Sequence, residues 1–148
     1  MALLLAPAAA QASIPAEPVP AGTPASATID IRIEGLRSTK GMVRACLTKV
    51  PALFLKCDQD PASLRASMPA ANGAQLHFAG VAPGDYALVV LHDENENRKV
   101  DTILGIPKEG VGFSRNPVLI IGPPSFAAVR FTVADGYVAQ LVKLRYFL

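Results

Sequence analysis

Polar and apolar residues alternate with a period of two along several short stretches of the chain. In residues 28–34 three isoleucines alternate with charged residues, and in residues 42–48 apolar residues occupy every second position while Cys46 lies on the other face. Residues 86–92 are apolar on both faces, a pattern typical of a strand that is covered on both sides. A period of two predicts β-strands rather than helices.

Weaker alternation predicts the remaining strands. We expect them at residues 64–68, 75–79, 118–121, 127–133 and 137–148. Asp135-Gly136 predicts a hairpin between the last two, and residues 51–56 predict a short helical turn. About seven strands without a sustained helical period predict an all-β fold, a single antiparallel Greek-key β-sandwich. One long irregular loop segment, residues 93–125, is expected to cover the second apolar face of residues 86–92.

The first 27 residues differ in composition from the rest of the chain. Residues 2–10 are a short apolar run, and Ala10-Gln11-Ala12 fits the small-x-small cleavage pattern, so residues 1–12 are interpreted as the remnant of a signal peptide. The alternative is an Ala-rich disordered tail, since the usual basic region is missing. Residues 13–27 are rich in Pro and Ala and predict a disordered linker, which leaves residues 28–148 as one β-sandwich domain.

Charge and cysteine usage narrow the function classes. The net charge is +2, and the basic residues are scattered without interleaved aromatics, so we expect no nucleic-acid partner. No apolar run approaches the roughly 20 residues that span a bilayer. An exported protein folds in an oxidising compartment, where a disulfide between Cys46 and Cys57 is the default. The alternative is two unrelated buried thiols.

An acidic loop, defined as residues 93–101, follows residues 86–92 and has the spacing of a calcium-binding loop. Its candidate ligands at positions 1, 3, 5, 7 and 9 are Asp93, Asn95, Asn97, Lys99 (through its carbonyl) and Asp101. The sharp turn at position 6 normally requires glycine and here falls on Arg98, while position 12 is Leu104 and lacks the bidentate carboxylate. We therefore expect weak Ca²⁺ binding, in the ~10⁻⁴–10⁻³ M range of extracellular modules. The alternative is that these side chains only form Asx-turns.

Other candidate catalytic residues lack partners. His92 stands beside Asp93 and Glu94 at a strand end, and Ser114 lies outside any Gly-x-Ser-x-Gly motif. No nucleophile, base and orienting group can be assembled from the sequence, so we expect a non-enzymatic protein.

The acidic loop also carries a family resemblance. The run HDENEN, followed by DT, LGIPKEG and GFSRN, resembles the core motif of the bacterial family called domain of unknown function 2141. Pro83-Gly84-Asp85-Tyr86 and Gly122-Pro123-Pro124-Ser125-Phe126 extend the resemblance, which covers residues 29–148. It implies an exported bacterial protein with a transthyretin-like (prealbumin-like) or carboxypeptidase-regulatory-like β-sandwich and no established catalytic residues. The chain departs from the family at Arg98, where members commonly carry glycine.

Three functional hypotheses follow. The first is a periplasmic or secreted, non-enzymatic binding or accessory module whose partner is a protein or a saccharide. The second is a small transthyretin-like hydrolase, but those proteins end in Tyr-Arg-Gly-Ser, which the terminal Arg145-Tyr146-Phe147-Leu148 lacks. The third is an adhesin-type domain that binds carbohydrate or protein. It would need an exposed aromatic platform, whereas aromatic residues make up only 6% of the chain and tryptophan is absent.

Overall fold

The structure is a computed structural model that describes residues 10, 15, 22 and 24–148 of the chain. The predicted signal-peptide remnant, except Ala10, and most of the predicted linker therefore lie outside the described residues.

Ten strands make up most of the regular secondary structure of the described chain, in agreement with the predicted all-β class. They are β1 (Ala27–Glu34), β2 (Met42–Thr48), β3 (Leu64–Pro69), β4 (Gln75–Val81), β5 (Gly84–Asp93), β6 (Thr102–Ile103), β7 (Ile106–Pro107), β8 (Gly110–Phe113), β9 (Phe131–Val133) and β10 (Gly136–Lys143). The helical elements are short: two 3₁₀ helices at Phe54–Gln59 and Ala70–Asn72, and one α-helical turn, α1, at Phe126–Val129. No helix in this part of the chain has the length and apolarity to cross a membrane.

Two larger sheets organise these strands. The first has the order β10-β1-β4, and the second has the order β3-β2-β5-β8, with β9 also paired to β5. Strands β6 and β7 form a separate small hairpin. The pairing of β1 with β10 is parallel, with Ala27 opposite Gly136, whereas the other pairings of named strands are antiparallel. The expectation of a purely antiparallel architecture is wrong at this one edge.

The main core lies between the two larger sheets. The three isoleucines of β1, at positions 29, 31 and 33, are at most 2% exposed and belong to the same apolar cluster as Val43 of β2 and Leu88 of β5. Burying each such side chain contributes roughly 1.5–3 kcal/mol, so the alternation read in the sequence is the pattern that drives the two sheets together.

A second, smaller cluster covers the opposite face of β5, as its two-sided apolar pattern requires. Ala87 lies in it with Phe54 of the first 3₁₀ helix and Val129 of α1. Leu119 of the predicted cover segment contributes, but the acidic loop does not belong to this cluster. The prediction that residues 93–125 supply the cover is therefore correct only in part, because segments on either side of that range close the face.

Two further predictions near the C-terminus are wrong. Residues 127–133 do not form one strand, because Phe126 and Val129 lie one helical turn apart, and the Ser125 hydroxyl accepts the Ala128 amide at 3.2 Å and caps the turn. The Asp135-Gly136 turn does not join a hairpin, since β9 pairs with β5 and β10 pairs with β1. The chain crosses between sheets at this turn.

The predicted strand at residues 118–121 is also absent from the described chain. These residues form an exposed loop. By contrast, residues 110–113, which the sequence assigned to the irregular segment, form β8 and pair with β5.

Candidate functional site

A groove runs across the outer face of the second sheet. Its floor is formed by side chains that alternate onto the outer face of β2 and β5. In the antiparallel pairing of these strands, Arg44 lies opposite Leu91, and Cys46 lies opposite Val89. On the other side of β2, Arg65 pairs with Cys46. These five residues line a cavity of about 740 Å³, which is within the size range of small-molecule sites.

One wall of the groove is the segment that follows β2. Cys46 and Cys57 form the predicted disulfide, with Cα atoms 6.2 Å apart, and this bond fixes the first 3₁₀ helix against the outer face. Phe54 of that helix packs edge-on against Phe113 and Phe126, at ring-centroid distances of 6.5 and 5.9 Å. The wall is therefore held by a covalent bond and by an aromatic cluster.

The opposite wall comes from the acidic loop, whose residues 98–100 line the groove. Arg98 has φ +62°, the left-handed conformation that glycine would adopt without strain. The predicted sharp turn at position 6 is thus present, and it presents an arginine beside Lys99. The loop that the sequence predicted as a calcium site therefore places two cationic side chains, those of Arg98 and Lys99, at the groove.

The side chains that line the groove carry mostly positive charge. Four exposed cations line it, namely Lys56, Arg65, Arg98 and Lys99, against the single acid Asp58. A fifth cation, Arg44, is neutralised because its Nε donates to the buried Asp93 carboxylate at 2.7 Å. No hydrogen bond or ion pair within residues 24–148 engages the side-chain nitrogens of Lys56, Arg98 or Lys99.

Asp93, the first predicted calcium ligand, is fully buried and accepts hydrogen bonds through both oxygens. Its Oδ1 accepts the Asn97 amide at 3.1 Å, and its Oδ2 accepts the Arg98 amide at 2.9 Å as well as Arg44. These amides lie four and five residues on, so the bonds of Asp93 reach further than the Asx-turns of the alternative interpretation, which reach two residues on. Asp93 thus anchors the start of the loop to β2.

The other predicted ligands also bond within the loop. Asn95 Oδ1 accepts the Asn97 amide at 3.3 Å, and Asn97 Oδ1 accepts the Lys99 amide at 2.9 Å. Both asparagine side chains donate to Asp101 Oδ2, at 2.9 and 2.6 Å. Among residues 24–148 no three or more His, Cys, Asp or Glu side chains are grouped to hold a metal ion. Calcium binding at this loop stays a prediction.

His92 is also buried, with 0% exposure. Its Nε2 lies 2.8 Å from the Lys40 carbonyl, which can only accept, so this nitrogen carries the proton and Nδ1 accepts the Tyr146 hydroxyl at 2.7 Å. The Arg37 guanidinium lies 4.5 Å from the centre of the Tyr146 ring and binds Glu94. These contacts join the C-terminal residues to the end of β5, and both ring nitrogens of His92 are occupied.

Two carboxyl groups titrate abnormally where the acidic loop ends. Burial raises the pKa of Glu109, which is 5% exposed, and its hydrogen bond with Asp101 raises this pKa further. The side-chain amides of Asn95 and Asn97 hold the pKa of Asp101 below its usual value. Glu109 Oε2 also accepts the Asp101 amide at 2.8 Å.

Stability near Glu109 is expected to depend on pH. A raised folded pKa means that the folded chain binds more protons than the unfolded chain, so this stabilisation is complete below the ordinary value of 4.5 and is lost as pH rises through the folded pKa. Glu109→Gln keeps an oxygen to accept the Asp101 amide. We expect it to melt above wild type at about pH 7 and to lose that advantage towards about pH 4. Thermal melting at several pH values measures the difference, and a constant difference would contradict the assignment.

Sequence reasoning predicted the disulfide and the turn at Arg98 but did not predict the groove. Its lining comes from β2, β3, β5, the first 3₁₀ helix and the acidic loop, which are distant in sequence. The one feature of the sequence that could have indicated the groove was the placement of Cys46 and Arg44 on the outer face of β2.

A comparison with family models identifies the family of the chain. The family described as "Uncharacterized protein conserved in bacteria (DUF2141)" matches residues 31–140. No curated protein and no solved structure matches the chain.

Proposed function

Because the chain belongs to this bacterial family, domain of unknown function 2141, for which no activity is indicated, we propose a function from the groove itself. The protein is a non-enzymatic binding module that takes a small amphiphilic anion, a carboxylate, sulfate or phosphate attached to an apolar body. The observation that supports this proposal is an apolar floor surrounded by four exposed cations and one acid.

The floor accounts for the apolar half of the ligand. Val89 and Leu91 are only partly buried and pack against the smaller apolar cluster, so apolar surface remains open at the bottom of the groove. The disulfide adds further apolar surface on one side. A ligand that covers this floor gains free energy in proportion to the apolar area removed from water, at roughly 25 cal/mol per Å².

The cations account for the charged half. Lys56 stands on the disulfide-linked wall, and Arg98 and Lys99 stand on the opposite wall, so an anionic head group between the walls meets positive charge from both sides. Arg65 is fixed at the rim, because its guanidinium donates to the Asp58 carbonyl at 2.8 Å and to Ser63 at 3.2 Å. Such a site disfavours cationic amphiphiles of the same shape.

Export from the cytoplasm is part of the same proposal. A disulfide is typical of oxidising compartments such as the periplasm or the extracellular space. The Cys46–Cys57 bond and the apolar run at residues 2–10 both support this location. For the architecture, the shared core of the two larger sheets supports a transthyretin-like Greek-key β-sandwich.

Weak calcium binding at the acidic loop is a secondary proposal, supported by the ligand spacing. An ion there would compete with the amide bonds of Asn95 and Asn97 to Asp101. We therefore expect a dissociation constant no tighter than ~10⁻⁴ M. A melting temperature unchanged by millimolar Ca²⁺ would contradict it.

Neutralising the two walls is expected to weaken anion binding. For Lys56→Gln combined with Lys99→Gln, we expect the affinity for dodecanoate below its micellar concentration to fall about tenfold, because each lost charge removes a modest, partly screened attraction. Displacement of an anionic fluorescent dye measures this affinity. Dodecyltrimethylammonium, which has a similar chain and opposite charge, is expected to compete poorly.

The matched control is Arg32→Gln, which removes an exposed cation from β1 on the other sheet. It should bind dodecanoate like wild type. Ser67→Trp, at an exposed position on the floor side of β3, should block the groove without changing its charge. Equal dodecanoate affinity in wild type, the double variant and Ser67→Trp would refute the proposed site.

A further inference from the structure

An apolar loop protrudes at the other edge of the second sheet. We define the apolar loop as residues 117–122, which follow β8. Val118, Ile120 and Ile121 are 84%, 86% and 93% exposed, whereas an aliphatic side chain of this size normally avoids water. Three such residues within four positions form a continuous apolar tip.

The apolar loop is held firmly at its base. Asn116, which adopts a left-handed conformation with φ +46°, donates to the Leu141 carbonyl at 2.7 Å and accepts the Lys143 amide at 2.7 Å. Leu119 turns inward and packs on the smaller apolar cluster. The base is therefore anchored to β10 and to the interior, which leaves the tip projecting from a fixed support.

Three cations lie near the base of the apolar loop, and the one acid placed beside them by strand register, Glu34 opposite Lys143, is paired with Arg32 at 3.9 Å. Residues 110–134 contain no acidic residue, and Arg115 lies two positions before the loop. Lys143 and Arg145 line one small cavity together with Asn116 and Leu119, which places both cations beside the base of the loop. Both cations are exposed.

We propose that the apolar loop docks the protein on the surface of an anionic lipid bilayer. The tip enters the interfacial region of the bilayer, and Arg115, Lys143 and Arg145 face the anionic head groups. The lipid surface is favoured over a protein partner because a stable protein interface buries about 800 Å² on each side, far more than three aliphatic side chains offer. A bilayer demands no shape complementarity and rewards apolar residues next to cations. This site is separate from the groove, so a negative result with vesicles would not count against the proposed groove ligand.

Cosedimentation with vesicles tests the proposal. The probe is phosphatidylcholine vesicles with and without about 30 mol% phosphatidylglycerol. Wild type should bind the anionic vesicles, and binding should weaken with added salt. The triple variant Val118→Ser, Ile120→Ser and Ile121→Ser should bind at least about 100-fold more weakly, since it removes the apolar contribution of three side chains. Because all three side chains are exposed, the variant should fold.

Charge removal and a matched control complete the test. Lys143→Gln with Arg145→Gln should weaken binding about 25-fold, since each cation near an anionic surface contributes about fivefold. Leu104→Ser removes a side chain that is 97% exposed on a different loop and should leave binding unchanged. Equal binding of wild type and the triple variant would overturn the proposal. An absence of vesicle binding by wild type would also overturn it. A self-association of wild type that the triple variant abolishes, with no change in vesicle binding, would overturn it as well and would indicate a second copy of the chain as the partner.

Discussion

Replacing both Cys46 and Cys57 by serine is expected to lower the free energy of unfolding by about 3 kcal/mol. The bond closes a loop between residues 11 positions apart, and its loss returns that much freedom to the unfolded chain. We expect the same variant to lose dodecanoate affinity, because the first 3₁₀ helix is one wall of the groove. Urea unfolding measures the stability, and the dye-displacement assay measures the affinity.

A second bond also holds this segment to β2. Thr48 donates to the buried Asp60 carboxylate at 2.5 Å, so the segment remains attached to β2 after the disulfide is removed. The double variant should therefore fold, and wild type treated with reductant should match it. A loss below about 1 kcal/mol would mean that the packing of Phe54 and the bond from Thr48 to Asp60 hold the wall without the disulfide.

Asp93→Ala should destabilise the protein by about 3 kcal/mol even when no calcium is present. The substitution leaves Arg44 without its partner and two loop amides without their acceptor. We expect this loss already in a chelating buffer, since Asp93 acts as an acceptor for groups of the protein, and any additional loss in millimolar Ca²⁺ would measure the weak calcium binding. Thermal and urea unfolding in both buffers measure the loss.

Asp101→Ala is the matched control for this experiment. Asp101 is only partly buried and receives the asparagine side chains of the same loop, so its removal should cost less than about 1 kcal/mol. A loss for Asp93→Ala that appears only with Ca²⁺ would contradict the structural role and favour a metal ligand.

The strands with clear two-sided patterns were predictable from the sequence. The predicted residues 42–48 match β2, because alternation records which face of a strand meets an interior. Residues 86–92 fall within β5, because a short continuous apolar run is typical of a strand that is covered on both faces. The segment at β8 carries two glycines in four residues and shows no such alternation, so its strand could not be recognised. At α1, two apolar residues three positions apart are compatible with either period over so short a window.

The sequence predicted single features of the site but not their arrangement. The spacing of Asp93, Asn95, Asn97 and Asp101 predicted a tight loop, and the structure forms one. Whether their oxygens face amides or an ion depends on the backbone path, and that path follows from the pairing of β2 with β5 and from Arg44. Gly41 allows this pairing, because at φ +68° a side chain there would overlap the Asp93 carbonyl.

Methyl NMR during a dodecanoate titration shows whether the ligand occupies the groove. We expect saturable shifts of the Val89 and Leu91 methyl groups, which lie on the groove floor, while the Leu88 and Val90 methyl groups on the buried opposite face stay unchanged. Shifts that never saturate, or that are confined to the methyl groups of Val118, Ile120 and Ile121, would contradict the assignment of the groove as the binding site.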